Sequence, residues 1–431
     1  MASIMNPPPP DAISKHPAVE NHVAQRPPAL IQDSGAIQWR IIIVCFLVIF
    51  FDGFDTTSIG FVVPTLAREW GMPATAFTSA FVATSLGAVV GYMISGPLRW
   101  RLGSRCLIFC SVLLFAAGSM LTALAGSLQI LAVLRLLTGI GLGAALPAAV
   151  ALASTQCPAR HREVIAVAVT AGIGLGSTFG GLVGGHLIAW HGWQSVFLLG
   201  ALLPALLLPF VWWFLPAQEA KTGQPAADPA SHSDTGIGSL FDGTLALRTT
   251  LLWSFSFLVF ITVYALYFWL PTLLLSFGFS PSETPKGIAF LGTGGMVGAI
   301  LLIPLSTRFG IARVLICTSL LGAMAIAGVA TADLTQQQLL FGIAVRGAGL
   351  MAGTVGQIAL AVTLYPAAAR TTGIGCSAAV GRIGSILGPA VGGLLLALDR
   401  PPRDIVLTAC IPVLMAVLII AALDFYQRKQ A

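Results

Sequence analysis

Charge is scarce in this sequence. Lys and Arg number 22 and Asp and Glu 16 among 431 residues, or 9% of the chain, where an ordinary soluble domain carries about 25%. Hydrophobic residues make up 56%, and that balance argues against a water-soluble fold. Paired cysteine motifs are lacking too: Cys45, Cys106, Cys110, Cys157, Cys317, Cys376 and Cys410 lie in or beside apolar runs, with no CxxC among them. Neither a disulfide framework nor a zinc site is indicated, and no metal or cofactor is expected. There is no GxSxG, HExxH, Walker A or strand-borne dinucleotide fingerprint. The sequence therefore offers no enzyme signature and no ATP-binding domain, and any uphill transport must draw on an ion gradient. The basic excess, a formal net charge of +6, is scattered through short segments without a continuous basic face, so it does not argue for nucleic acid. The proline-rich stretch MNPPPPDAISKHPAVENHVAQRPPAL lacks the apolar core of a signal peptide. Residues 1–37 read as a disordered cytoplasmic tail.

What the sequence does have is apolar length. A helix needs about 20 mostly apolar residues to cross a bilayer, and some twelve such runs begin near residues 40, 76, 105, 128, 162, 193, 248, 286, 312, 335, 372 and 403. The expected fold is all-α and integral to the membrane. The longest polar interruption, PAQEAKTGQPAADPASHSDTGIGSLFDGT over residues 216–244, divides the runs six and six. Its composition suits a flexible linker. The expected organisation is thus a six-helix bundle over 38–215, a cytoplasmic linker over 216–247, a second six-helix bundle over 248–424 and a short cytoplasmic tail over 425–431. Counted loop by loop, fifteen Lys and Arg fall on one side, among them Arg99, Arg101, Arg105, Arg308 and Arg313, against Arg68, Lys286, Arg400 and Arg403 on the other. The positive-inside bias makes the first side cytoplasmic and places both termini there.

The halves echo one another. PLRWRLGSRCLI after the second span resembles PLSTRFGIARVLI after the eighth, and GSTFGGLVGG in the fifth resembles GSILGPAVGG in the eleventh. Such matches indicate a duplicated bundle built of parallel repeats. Glycines four apart, as in GIGLGAALP (139–147) and GTGGMVGA (292–299), let helix backbones approach closely in lipid. These glycines speak of architecture more than of substrate.

Five charges fall inside the apolar runs: Asp52, Asp55, Arg135, Arg346 and Arg382. A charge at the bilayer centre costs several kcal/mol, so it normally faces a cavity or a partner and marks a pathway. Asp52 and Asp55, three apart in FFDGFDTTSIG, share one helix face. Two neighbouring carboxylates in a low dielectric do not both ionise readily, so one of them can carry a proton. The competing reading is a buried aspartate–arginine ion pair that holds helices together. The three arginines present planar donor forks suited to a carboxylate. With two acids for three bases, at least one arginine is left for an anionic ligand, unless Arg135 or Arg346 reaches an interface instead. His186 and His191 read as interfacial or packed. Tyr264, Tyr267, Phe268 and Trp269 crowd the seventh span, as packing and belt residues or as a platform for a flat ring.

These residues carry a resemblance. The twelve spans in two halves, with RxGxxR-type loops after the second and eighth, resemble the major facilitator superfamily. Within it the chain resembles the aromatic acid:proton symporters from about Trp39 to about Leu423. The match runs through DGFDTTSIGFVVPTL in the first span, RLLTGIGLGAALP in the fourth, YFWLPTLL in the seventh and YPAAARTTGIGCSAAVGRIGSILGP at the tenth and eleventh. The resemblance implies that Asp52 and Asp55 are required for transport, at least one of them in proton coupling, and that Arg135 and Arg382 serve substrate or coupling. Arg346 has no counterpart in that pattern.

The departures lie in the gate loops. Trp100, beside Arg101 and Arg105, stands where the family places an acid that braces the gate. Thr307, beside Arg308, stands where an acid is usual after the eighth span, and Thr155 replaces a glutamate. A gate without these braces is expected to leave the resting protein inward-facing. Gly181 replaces the proline of the antiporter pattern, which favours symport and speaks against drug efflux. The resemblance implies a bacterial inner-membrane, multi-pass transporter that imports a small aromatic carboxylate of the benzoate or hydroxybenzoate type with protons. The alternatives are a proton symporter of another organic acid, such as a muconate-like dicarboxylate or an acidic sugar, and a membrane sensor or scaffold that keeps this fold without transport.

Overall fold

Long apolar runs punctuated by glycine leave the backbone one way to satisfy its polar groups in hydrocarbon, the α-helix. The computed structural model describes residues 37–158, 161–217, 237–241, 243–398 and 400–430. Its helices are α1 (Trp39–Glu69), α2 (Thr78–Thr122), α3 (Leu128–Thr155), α4 (Arg162–Thr170), α5 (Gly172–His191), α6 (Gln194–Phe214), α7 (Thr244–Ser276), α8 (Thr284–Phe309), α9 (Ile311–Thr331), α10 (Gln336–Leu364), α11 (Ala367–Ala397), α12 (Pro402–Thr408) and α13 (Cys410–Gln430). The expected tail over 1–37, apart from residue 37, and most of the expected linker lie outside the described residues.

Eleven helical stretches are long and apolar enough to cross a membrane. One of them, Ala74–Thr122, has 49 residues, more than twice the ~20 that a crossing needs. It breaks at Gly103, whose φ of 79° and ψ of 160° lie outside helical space. The break falls between the two spans expected near 76 and 105. The repeated loop has the same backbone: Gly310, in the matching RFGIA stretch between α8 and α9, has φ 85° and ψ 143°. Only glycine takes such a conformation without penalty, so the sequence echo between the halves is also a structural one.

Caps fix several entries. Ser127 accepts from the Ile130 amide at the start of α3, and Thr335 with Gln338 forms a capping box at the start of α10. The surface is apolar where lipid would touch it, with Met93, Trp190, Trp213 and Leu418 each more than two-thirds exposed. Such a surface is stable only under a hydrocarbon cover.

Within the halves, glycine sets the helix spacing. Gly87, Gly91, Gly139 and Gly143 bring α2 and α3 into backbone contact, and Gly53 and Gly176 do the same for α1 and α5. Between the halves, contacts gather at the end where α1 finishes and α2 begins. There Phe81 stacks on Phe268 at 4.9 Å and meets Trp269 edge-on, Gly185 abuts Ser282, and Gly393 abuts Thr78. At mid-depth Ser177 bonds Tyr267 at 2.7 Å. Towards the other end the pairs that join the halves thin out, and among the described residues α3 has no extensive packing on α10 or α11. The fold is thus two repeated six-helix bundles that meet at one end.

At Gly176 a β-carbon would overlap the Phe50 carbonyl oxygen, whereas at Gly96 nothing lies within 4 Å of one. Gly176→Ala is therefore expected to lose about 1–3 kcal/mol or more through overpacking. Gly96→Ala is expected to be neutral or stabilising by about 0.5–1 kcal/mol. Thermal unfolding of the two variants in detergent checks the contrast; equal midpoints would contradict it.

Candidate functional site

The two aspartates share a helix but not a fate. Asp55, 1% exposed, receives Arg135 Nη1 at 2.7 Å, and the Ser119 hydroxyl hydrogen-bonds its other oxygen. Arg135, wholly buried, also donates Nη2 to the Asp55 carbonyl at 3.4 Å and Nε to Thr84 Oγ1 at 3.3 Å. Its guanidinium carbon lies 5.8 Å from the centre of the Phe197 ring. This closed network joins α1, α2, α3 and α6. The buried ion pair considered from the sequence as the competing reading is what the structure places at Asp55 and Arg135. A bridge of this kind adds little net stability when intact, but removing one partner leaves an uncompensated charge.

Asp52 is one helical turn away and 7% exposed. Its carboxylate accepts from Thr56 Oγ1 at 3.0 Å and forms no salt bridge among the described residues. Arg382 of α11 lies close enough for its charge to act on Asp52, as do the Tyr92 and Tyr267 hydroxyls. Arg382 is half-buried. Its guanidinium lies over the Tyr92 ring at 4.0 Å and 5.8 Å from the Phe260 ring. Nη1 donates to Tyr264 Oη at 3.3 Å, and the Tyr92 hydroxyl is a second hydrogen-bond partner of the fork. Phe260 and Tyr264 are stacked at 6.0 Å with a 14° tilt.

Three of the five tyrosines, Tyr92, Tyr264 and Tyr267, therefore gather around one acid and one base. A carboxylate without a salt bridge, a cation bonded by neutral tyrosine hydroxyls and stacked aromatic faces can bind a proton, an anionic group and a flat ring side by side. Tyr267 ties this cluster to α5, because Ser177 Oγ meets its hydroxyl at 2.7 Å and donates to the Gly53 carbonyl at 3.1 Å.

The remaining candidates lie elsewhere. Trp269 is 1% exposed and donates its indole N–H to the Pro389 carbonyl at 2.8 Å; it packs against Gly392, Gly393 and Phe81. Phe268 is likewise packed. Trp269 thus serves the closed end between the halves rather than the cluster. Arg346 is buried on α10 and shares a small cavity with Tyr267. Trp100 is 82% exposed, Arg101 is exposed, and Arg105 lies 4.0 Å over the Trp212 ring. Thr307 bonds the Pro304 carbonyl of its own helix, and Arg308 lies 5.4 Å from the Phe309 ring. His186 and His191 are exposed, with His186 edge-on to Trp190.

Sequence reasoning missed Tyr92, Phe260, Ser119 and Ser177. A tyrosine inside an apolar run, as in GYMISG, is a weak signal by itself. A serine is weaker still, since its hydroxyl can return to its own helix.

The Major Facilitator Superfamily model matches residues 45–345. The gallate transporter of Pseudomonas putida is 33% identical over 389 residues, covering 84% of this chain and 87% of its own. The 4-hydroxybenzoate transporter of Acinetobacter baylyi is 33% identical, covering 85% and 87%. Among solved structures, a D-xylose–proton symporter superposes with a TM-score of 0.71 at 17% identity, covering 89% of this chain and 97% of its own. The match across 45–345, with curated relatives at 33% identity over most of both chains, shows that this protein is not an enzyme but a membrane transporter of the major facilitator superfamily, in its aromatic acid:proton symporter group.

Proposed function

We propose that the protein imports a small aromatic carboxylate of the hydroxybenzoate type across the bacterial inner membrane together with protons, by alternating access. The observation that carries this reading is the pairing of an unbridged buried carboxylate, Asp52, with an arginine, Arg382, whose fork is held between aromatic rings. Relatives named for gallate and 4-hydroxybenzoate transport support the substrate class. So does a relative from Escherichia coli named for 3-(3-hydroxyphenyl)propionate, 33% identical over 362 residues.

The roles divide along the geometry. Asp52 takes the proton. Arg382 receives the substrate carboxylate, and Phe260, Tyr264 and Tyr92 flank the ring. The Asp55–Arg135 bridge fixes α1 against α3, so the proton site does not shift when substrate binds. With termini in the cytoplasm, the closed end is periplasmic and the site opens inward. In that state an ionised Asp52 beside Arg382 competes for the same cation as the substrate. Protonating Asp52 removes this competition, which couples the two ligands without any contact between them.

Asp52→Asn is expected to abolish accumulation against a gradient while sparing counterflow exchange of labelled 4-hydroxybenzoate in proteoliposomes. Loss of both activities, with the protein still folded, would remove the proton role. Asp55→Asn has a different signature. It strands Arg135 as a buried unpaired charge, a cost of about 3–5 kcal/mol, so it lowers the unfolding midpoint. Asp55→Asn combined with Arg135→Gln is expected to recover part of that loss. If the single and double variants are equally unstable, the bridge does not hold the helices.

Arg382→Lys keeps the charge but not the planar fork. Binding of 4-hydroxybenzoate is expected to weaken by ~1–3 kcal/mol, the scale of a charge-assisted hydrogen bond. An unchanged dissociation constant by calorimetry would make Arg382 a structural residue.

A further inference from the structure

Transport as read above leaves one buried charge without work. Arg346 on α10 is 6% exposed, its Nε has no hydrogen-bond partner, and among the described residues no side chain or carbonyl pairs with its guanidinium. The side chain borders two small cavities. One, of about 20 Å³, is walled by apolar side chains such as Leu266, Leu270, Ile326 and Ile343. The other, of about 10 Å³, reaches Leu291 and Tyr267.

The other half of the molecule shows what a buried arginine needs. On α3, Arg135 is neutralised by Asp55 of α1. The matching helix α7 carries the same PTL element, Pro64 of α1 answering to Pro271 of α7. The position nine residues before Pro271, where α1 has Asp55, is Thr262. Its hydroxyl is turned to the Leu258 carbonyl at 2.8 Å. The second half therefore has the arginine without the acid. A lone guanidinium in apolar surroundings costs several kcal/mol, and the described residues supply no acid to offset it.

We propose that the pocket beside Arg346 binds a small monovalent inorganic anion of chloride size, which stands where the carboxylate stands in the other half. Size selects the class. The larger cavity has room for about one water-sized occupant, far below the ~300 Å³ or more of a pocket for a ring-bearing ligand, so the aromatic substrate is excluded. Charge selects within the class: a water molecule fits but does not neutralise the guanidinium. A halide does, and it is small enough for the cavity. The site lies within one half, between α7, α9 and α10, so it is occupied in either facing state and acts on the stability of the second bundle.

The test uses the full-length protein in neutral detergent and does not depend on uptake. Its unfolding midpoint is measured across sodium chloride and sodium bromide titrations, with sodium gluconate holding ionic strength constant. The midpoint is expected to rise and saturate with either halide. Arg346→Met, which keeps volume and removes charge, is expected to show no halide response, while Arg382→Met keeps it. A parent midpoint that is the same in chloride and gluconate would overturn the proposal, leaving water as the occupant. So would a response that survives in Arg346→Met or vanishes only in Arg382→Met. Should Arg346→Met fail to fold, bromide-soaked crystals of the parent decide: an anomalous peak against the Arg346 guanidinium is expected, and no peak there overturns the site.

Discussion

The cost of a charge in hydrocarbon governs this molecule. With 9% charged residues and five of them inside the spans, each buried charge must be neutralised by a partner, held near a cavity or satisfied from outside the chain. The structure uses these solutions at different places. Asp55 and Arg135 neutralise one another. Asp52 and Arg382 act on one another by charge among tyrosine hydroxyls, with no salt bridge among the described residues, and Arg346 Nε has no hydrogen-bond partner among them. Packing follows from the same constraint, because helices that cannot rely on a hydrophobic drive in lipid pack through glycine. The backbone contacts of Gly53 with Ile173 and of Gly176 with Phe50 hold α1 at the position where Asp55 meets Arg135.

The division between a satisfied and an unsatisfied aspartate gives the fold its chemistry. A bridge made of Arg135, Asp55, Ser119 and Thr84 is stiff, since each guanidinium nitrogen and both carboxylate oxygens have a partner in low dielectric. Stiffness there lets the neighbouring turn be responsive. Asp52 has a single threonine donor at 3.0 Å, so its protonation changes the balance of charge around Arg382 more than it changes the packing. The closed end, sealed by Phe81, Phe268 and Trp269, is apolar and draws on none of these charges. The gate positions Trp100, Arg101, Thr307 and Arg308 are exposed.

Much of this was legible in the sequence. Apolar length and the central polar stretch marked the crossings, and the RLGSR and RFGIA echo marked two turns that share a positive-φ glycine. The buried charges were identified from composition alone, since an Asp or Arg in an apolar run stands out. Their partners were not, because pairing is decided by how α1, α3 and α11 are placed, and spacing within one helix carries no record of that. Trp269 shows the same limit from the other side. Aromatic density on α7 suggested a ring platform, but the helix turns Tyr264 to Arg382 and Trp269 to the Pro389 carbonyl. Tyr92 went unread because a lone tyrosine in a lipid-crossing run is ordinary until an arginine from another helix lies 4.0 Å over its ring.

Proton movement during substrate entry tests the central claim most directly. Proteoliposomes carrying a pH-sensitive dye in the lumen, with no imposed gradient, are given external 4-hydroxybenzoate at a pH where it is ionised. The account predicts that the lumen of vesicles with the parent protein acidifies as substrate enters, and that vesicles with Asp52→Asn take up substrate to equilibrium with no acidification. Substrate entry without luminal acidification in the parent, or undiminished acidification with Asp52→Asn, would contradict it.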